Sequence, residues 1–161
     1  MYNWFLFAHI ASVAGFLLAH GTSAAMAFRL RAEKTTDGIR SLTDLSKQTT
    51  NIMYGFILLI LVSGLFLGFQ GQWWGRGWIW TALVVLIVTI GAMSALGRPY
   101  SAVRRAVGLP VRAGRRPVAT STPGSPEEIR RAVDATPAGV ITAVGVVALA
   151  LILGLMILKP F

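Results

Sequence analysis

The sequence predicts an all-α protein, a bundle of four transmembrane helices whose two termini face the same side of the membrane. Of its 161 residues, 55% are hydrophobic and only 13% are charged, with a mean hydropathy of +0.66. A soluble domain carries about 25% charged residues. Four windows lack Asp, Glu, Lys and Arg altogether: residues 1–28, 48–75, 77–97 and 135–158. A helix of about 20 apolar residues crosses the hydrocarbon core of a bilayer, so each window predicts one crossing.

The first transmembrane helix is predicted over residues 2–28. Its window is too long for a cleaved signal peptide and has no basic segment before Arg29, so we expect the helix to stay in the membrane. The second half of this helix is rich in small residues, which let another helix approach closely in lipid. These residues are Gly21, Ser23, Ala24, Ala25 and Ala27.

The second and third helices are predicted to cross the membrane over residues 52–69 and 78–96. We expect the second helix to begin near Asp37, as an amphipathic segment on the membrane surface. Its Gly64 and Gly68 form a GxxxG pair, a spacing that favours close helix packing. The connecting turn, GQWWGRG, is so short that the two helices are expected to form an antiparallel hairpin.

The fourth helix is predicted over residues 137–158, after a long connection at residues 97–136. The composition of this connection is that of a water-soluble segment, with several prolines and the run TSTPGS. Such composition predicts an irregular, mobile stretch of chain.

One short helix is expected inside this connection. Ser125, Pro126 and Glu128 have the spacing of a capping box with proline in the first helical position. They predict an amphipathic surface helix from Pro126 to about Val133. The sequence has no internal repeat and no separate soluble domain, so residues 1–161 are interpreted as a single membrane domain.

The net charge of +9 predicts the orientation of the protein in the membrane. Thirteen of the fifteen Lys and Arg residues lie in the first and third connections, and only Arg76 and Lys159 lie on the other side. Because basic loops stay in the cytoplasm, both termini are predicted to face outward. All five tryptophans map to the outer side, where indole rings favour the lipid headgroup layer. They are Trp4, Trp73, Trp74, Trp78 and Trp80. An alternative role for the arginine clusters is to bind anionic lipid.

Few side chains inside the predicted spans can carry chemistry. The chain has no cysteine, which excludes disulfides and thiolate metal sites. The four windows contain no acidic residue, Lys or Arg, which weighs against an ion-coupled transporter. The ionisable groups that remain are His9, His20 and, at the membrane edge, Tyr54.

His9 and His20 are the only histidines, and both lie in the first helix. Their spacing puts them about 20° apart around the helix and roughly 16 Å apart along it. A buried neutral imidazole must form a hydrogen bond or bind a metal. Each ring is therefore either structural, bonded to a hydroxyl or carbonyl of a neighbouring helix, or a ligand of haem or a metal ion. A haem would need a second ligand other than histidine, or a second copy of the helix. Four methionines are expected to fill space rather than to donate sulfur: Met26, Met53, Met93 and Met156.

The segment MYNWFLFAHIASVAGFLL, with its basic exit FRLR, resembles copper-resistance-D-like bacterial integral membrane proteins of unknown function. It is also distantly similar to the J-type protoporphyrinogen oxidase, a four-helix membrane protein, over about residues 1–100. The resemblance implies that His9 is an axial ligand of haem b. His20 has no counterpart there and is the weaker candidate for a cofactor. The oxidase has an essential lysine early in the third helix, where this chain has Ala82, in GWIWTA.

Three functions follow from these observations. The first is a binding or accessory subunit of a larger membrane assembly that holds haem b through His9. The alternative is a haem-dependent membrane oxidoreductase of the protoporphyrinogen oxidase type. The third, movement of a copper ion, is disfavoured by the lack of cysteine. The expected partners are membrane lipid and either other transmembrane subunits or a second copy, and not nucleic acid. The expected location is the bacterial cytoplasmic (inner) membrane, with the basic loops in the cytoplasm.

Overall fold

The computed structural model describes residues 1–113, 116–118 and 122–160, and it contains six α-helices and a two-stranded hairpin. The elements in chain order are α1 (Tyr2–Ala32), α2 (Thr36–Gln70), a 3-10 turn (Trp73–Gly75), α3 (Gly77–Leu96), α4 (Arg98–Ala106), β1 (Val111–Ala113), β2 (Arg116–Val118), α5 (Pro126–Asp134) and α6 (Ala138–Leu158). Four helices, α1, α2, α3 and α6, are long and apolar enough to cross a membrane. The predicted all-α fold with four transmembrane helices is confirmed, and the chain is a multi-pass membrane protein.

The connection between α1 and α2 is a tight turn fixed by polar side chains. The Glu33 carboxylate accepts hydrogen bonds from the N–H groups of Lys34 and Thr35 and from the Thr35 hydroxyl. The Thr35 hydroxyl in turn accepts the N–H of Gly38, which caps the free N-terminus of α2. With this cap in place, α2 begins at Thr36, one residue before its expected start, and runs unbroken to Gln70.

The four long helices pack as two pairs, α1 along α2 and α3 along α6, with α6 also contacting α1. The helices α2 and α3 are joined by the short turn, as expected for a hairpin, but they are not among the pairs that pack along their lengths. A physical reason lies at the turn between them, where the indole of Trp74 occupies the space beside Gly68 of α2 and packs on Trp80 of α3. The short turn brings the two helices together at one end, and this ring fills the gap between them.

The connection at residues 97–136 is more ordered than its composition predicts. Helix α4 begins immediately after Gly97, with Pro99 in its first turn, where proline is tolerated. Strands β1 and β2 then pair in antiparallel register, Val111 opposite Val118. The expectation of an irregular segment is wrong at these elements, whereas residues 114–115 and 119–121 lie outside the described part of the chain. The capping box of α5 is formed as expected, and this helix ends at Asp134.

An apolar cluster at one end of the bundle ties the short helices to α1 and α2. It consists of Leu30, Ile39, Val103, Val107, Ile129 and Val133. Arg104 of α4 donates hydrogen bonds to the Thr43 carbonyl and the Asp44 carboxylate, and Arg130 of α5 donates to the carbonyls of Arg31 and Glu33. We call this the basic end of the bundle, and the opposite end, with the turn Trp73–Gly75, the tryptophan end.

Candidate histidine site between α1 and α2

His9 lies buried at the interface of α1 and α2, with 8% of its surface exposed. Its Nδ1 atom is 3.1 Å from the carbonyl oxygen of Ile60 and 3.0 Å from Oγ of Ser63. A carbonyl oxygen only accepts hydrogen bonds, so Nδ1 carries the proton and donates it. The Ser63 hydroxyl donates to the carbonyl of Leu59, which leaves its oxygen free to accept from His9. In the neutral ring, Nε2 therefore keeps an unprotonated lone pair.

A glycine on α2 makes room for this imidazole. A Cβ atom added at Gly64 would lie 3.2 Å from Cε1 of His9, closer than ordinary van der Waals contact. The second glycine of the GxxxG pair, Gly68, faces the indole of Trp74 in the same way, at 2.9 Å. Both glycines therefore admit an aromatic ring to the surface of α2.

A groove of about 400 Å³ lies along the α1 and α2 pair. It is lined by Phe5, Ala8, Ala11, Ser12, Phe56, Leu59, Val62 and Ser63. The volume is within the range of small-molecule sites, which are mostly apolar with a few polar groups. Ser63 belongs both to this groove and to the hydrogen bonds of His9, so the groove and the imidazole share one wall.

His20 lies in a different environment, although helix periodicity puts both histidines on one face of α1. Its ring lies against Gly145 of α6, beside the methyl group of Met93, and stacks on Phe16 with 5.9 Å between the centroids. Its Nε2 atom is buried and finds no hydrogen-bond partner among the residues that the structure describes. The structural interpretation, a bond to a neighbouring hydroxyl or carbonyl, thus fits His9 in this fold but does not account for His20.

The position where the similar oxidase has its essential lysine holds a small buried side chain in this chain. Ala82 of α3 is 3% exposed. Within the described residues, no group of three or more His, Cys, Asp or Glu side chains comes close enough to hold a metal ion.

The partners of His9 were not predicted from the sequence. Ser63 is the only Ser or Thr in the predicted second span, residues 52–69, and this could have indicated it as a hydrogen-bond partner of a histidine. The Ile60 carbonyl carries no signal at all, because every residue has one. Both groups are acceptors of the kind to which a metal-binding histidine normally donates its other ring N–H. Comparison of the chain with protein families, curated proteins and solved structures yields no match.

Proposed function

We propose that the chain is a binding or accessory subunit of a larger assembly in the bacterial inner membrane and that it holds haem b through His9. The observation that carries the proposal is the hydrogen bond from His9 Nδ1 to the Ile60 carbonyl, which leaves Nε2 as a lone-pair donor. The proposed orientation places the basic loops in the cytoplasm and both termini on the outer side of the membrane.

In the proposal, the protein fixes and tunes one ligand. The Ile60 carbonyl and the Ser63 hydroxyl hold the ring orientation and raise the basicity of Nε2. Burial between α1 and α2 keeps water from the imidazole. When bound, haem b supplies one-electron redox chemistry.

Two features support a subunit over a solitary protein. Within the spans the chain has no further histidine near His9, so a second axial ligand would come from a partner or a second copy. Several glycines on the long helices also face open space, because an added Cβ there would meet no atom of the described chain within 4 Å. Gly21 of α1 and Gly91 of α3 are two of them, and small residues of this kind favour contact with another transmembrane helix.

The oxidoreductase alternative receives no comparable support. Oxidase activity of this type would need a proton-transferring group where the oxidase has its essential lysine. This chain has Ala82 there, and a methyl group cannot transfer a proton. Copper movement likewise receives no support, because the chain has no cysteine and no group of three or more His, Asp or Glu side chains comes together in the described residues.

The test is an absorption spectrum of protein purified in mild detergent from cells supplied with iron and a haem precursor. We expect a Soret band that disappears in His9→Ala and persists in His20→Ala, with size-exclusion profiles confirming that both variants stay folded. Colourless protein from haem-replete cells, or a band that survives His9→Ala, would overturn the haem proposal.

The subunit proposal is tested separately, on the same detergent extract. We expect other membrane proteins, or a second copy, to co-migrate with the chain in stoichiometric amount. A solitary species that oxidises porphyrinogen would contradict it and establish the oxidoreductase alternative.

A further inference from the structure

The two basic residues of the tryptophan end meet in one cavity, although they lie far apart in the sequence. The cavity has a volume of about 390 Å³ and is lined by Gly71, Gln72, Trp73, Arg76, Trp78 and Lys159. Arg76 immediately precedes α3, and Lys159 immediately follows α6. The packing of α3 along α6 therefore brings both cations of this end to the same place.

Indole rings hold the lysine side chain at the cavity. The Nζ atom of Lys159 lies 4.3 Å from the centroid of the Trp73 ring and 5.8 Å from that of Trp78. The two rings contact each other, with 5.6 Å between their centroids, and Trp78 is 4% exposed. An ammonium group above an indole face is attracted by the ring quadrupole, and no carboxylate of the described residues forms a salt bridge with Lys159.

The backbone of the cavity is in an unusual conformation. Gln72 has a φ of 55° and Lys159 a φ of 45°, and no other non-glycine residue in the described chain has a positive φ. The left-handed region is unfavourable for residues with a Cβ atom. Residues held in such regions cluster at binding sites, where the surrounding structure maintains them. Here the two of them line one cavity.

The charge of this cavity is not balanced by any acidic side chain. All six Asp and Glu residues lie in residues 33–44 and 127–134, at the basic end of the bundle. The N-terminus of α3, next to Arg76, has no side-chain cap, so its free N–H groups add partial positive charge. Two cations and an uncapped helix N-terminus thus lie together, and no Asp or Glu side chain neutralises their charge.

We propose that this cavity is a binding site for a phosphate-type oxyanion. The guanidinium of Arg76 matches the geometry of phosphate oxygens, and the ammonium of Lys159 supplies the second charge. Trp73 and Trp78 line the same cavity and position the ammonium of Lys159 for the ligand. The same chemistry suits the headgroup of an anionic phospholipid and a free phosphate in the adjoining solution.

The test uses the full chain in detergent, with binding followed by native mass spectrometry and by tryptophan fluorescence. The probes are phosphatidylglycerol, phosphatidylcholine and inorganic phosphate. We expect saturable binding of phosphatidylglycerol or of phosphate, weakened about tenfold or more in Arg76→Gln and in Lys159→Gln, as the loss of a charge-assisted hydrogen bond predicts. Arg40→Gln, which removes an exposed arginine at the basic end, is the matched control and should bind as wild type.

The arms of the experiment separate the two sources of the oxyanion. Competition by inorganic phosphate identifies a soluble ligand, and binding of phosphatidylglycerol that phosphate does not displace identifies a lipid headgroup. Lys159→Arg keeps the charge and should retain binding, which separates loss of the site from loss of the fold. Equal binding of phosphatidylcholine and phosphatidylglycerol without any phosphate binding, or wild-type affinity in both neutral variants, would overturn the proposal.

Discussion

The imidazole of His9 on α1 lies directly against Gly64 on α2, with Cε1 3.2 Å from the point where a Cβ at residue 64 would sit. The same ring reaches one turn further back on α2, to the carbonyl of Ile60. The hydrogen bond and the close packing therefore depend on each other. A side chain at residue 64 would push the ring away from its acceptor.

Replacing Gly64 by leucine should destabilise the protein, because the new side chain cannot share this space with the imidazole. We expect the free energy of unfolding in detergent to fall by about 1–3 kcal/mol, the usual effect of overpacking. The matched control is Gly55→Leu on the same helix, since an added Cβ there meets no described atom within 4 Å. Equal unfolding temperatures of the two variants would contradict the close packing of His9 against Gly64.

Substitution by leucine should destabilise the protein at His9 but not at His20. His9→Leu removes hydrogen bonds to Ile60 and Ser63, and we expect it to lower the unfolding free energy by about 1–2 kcal/mol. His20→Leu removes a buried Nε2 atom that has no partner in the described chain, so stability should stay equal or rise. Reversible unfolding in mixed micelles, on protein made without added haem, measures both. A larger loss for His20→Leu would contradict the assignment.

The four crossings were predictable from the sequence because the bilayer acts as a solvent that demands long, uncharged helices. What the sequence did not predict is which crossings pack together. The short turn joins α2 and α3 at one end, where the ring of Trp74 lies against Gly68, but α2 packs along α1 and α3 along α6. Helix α4 was missed because the prolines and the run TSTPGS indicated an irregular connection throughout, although Val103 and Val107 have helical spacing and lie in the apolar cluster.

The candidate site was predictable in part for the same reason. A histidine inside an apolar helix needs a partner, which singled out both His9 and His20, and the resemblance then favoured His9. Its acceptors lie on another helix, and the register of α1 against α2 is set by packing rather than by local sequence. The difference between His9 and His20 also depends on that register, because each ring meets the helix that lies at its depth.

Arg104 at the basic end should stabilise the fold through contacts that the neighbouring Arg105 lacks. Arg104 is 14% exposed and donates hydrogen bonds to the carbonyls of Thr43 and Pro110 as well as to Asp44. We expect Arg104→Ala to lower the unfolding free energy by about 1–2 kcal/mol, through lost bonds and lost packing of the stem. Arg105→Ala, at the exposed next position, should change it by less than about 0.5 kcal/mol. Similar effects of the two substitutions in thermal unfolding would refute the role of Arg104.

The turn between α1 and α2 should make stability sensitive to acid. The N–H and hydroxyl of Thr35, the N–H of Lys34 and the nearby Arg29 hold the pKa of the Glu33 carboxyl below its ordinary value. Because the folded-state pKa is then lower than the unfolded-state value of about 4.3, the carboxylate stabilises the fold above that pH. This stabilisation is lost as the pH falls through the folded-state pKa.

Glu33→Gln tests this dependence, since the amide has no charge to lose. Its unfolding temperature should be lower than that of wild type at pH 7, and the two should converge as the pH falls through the folded-state pKa of Glu33. Glu127→Gln, at an exposed acid in the first turn of α5, is the control for the general effect of losing one negative charge. The measurement is thermal unfolding in detergent at half-unit steps of pH. A constant difference between wild type and Glu33→Gln across the whole range would show that the carboxylate of Glu33 does not stabilise this turn through its charge.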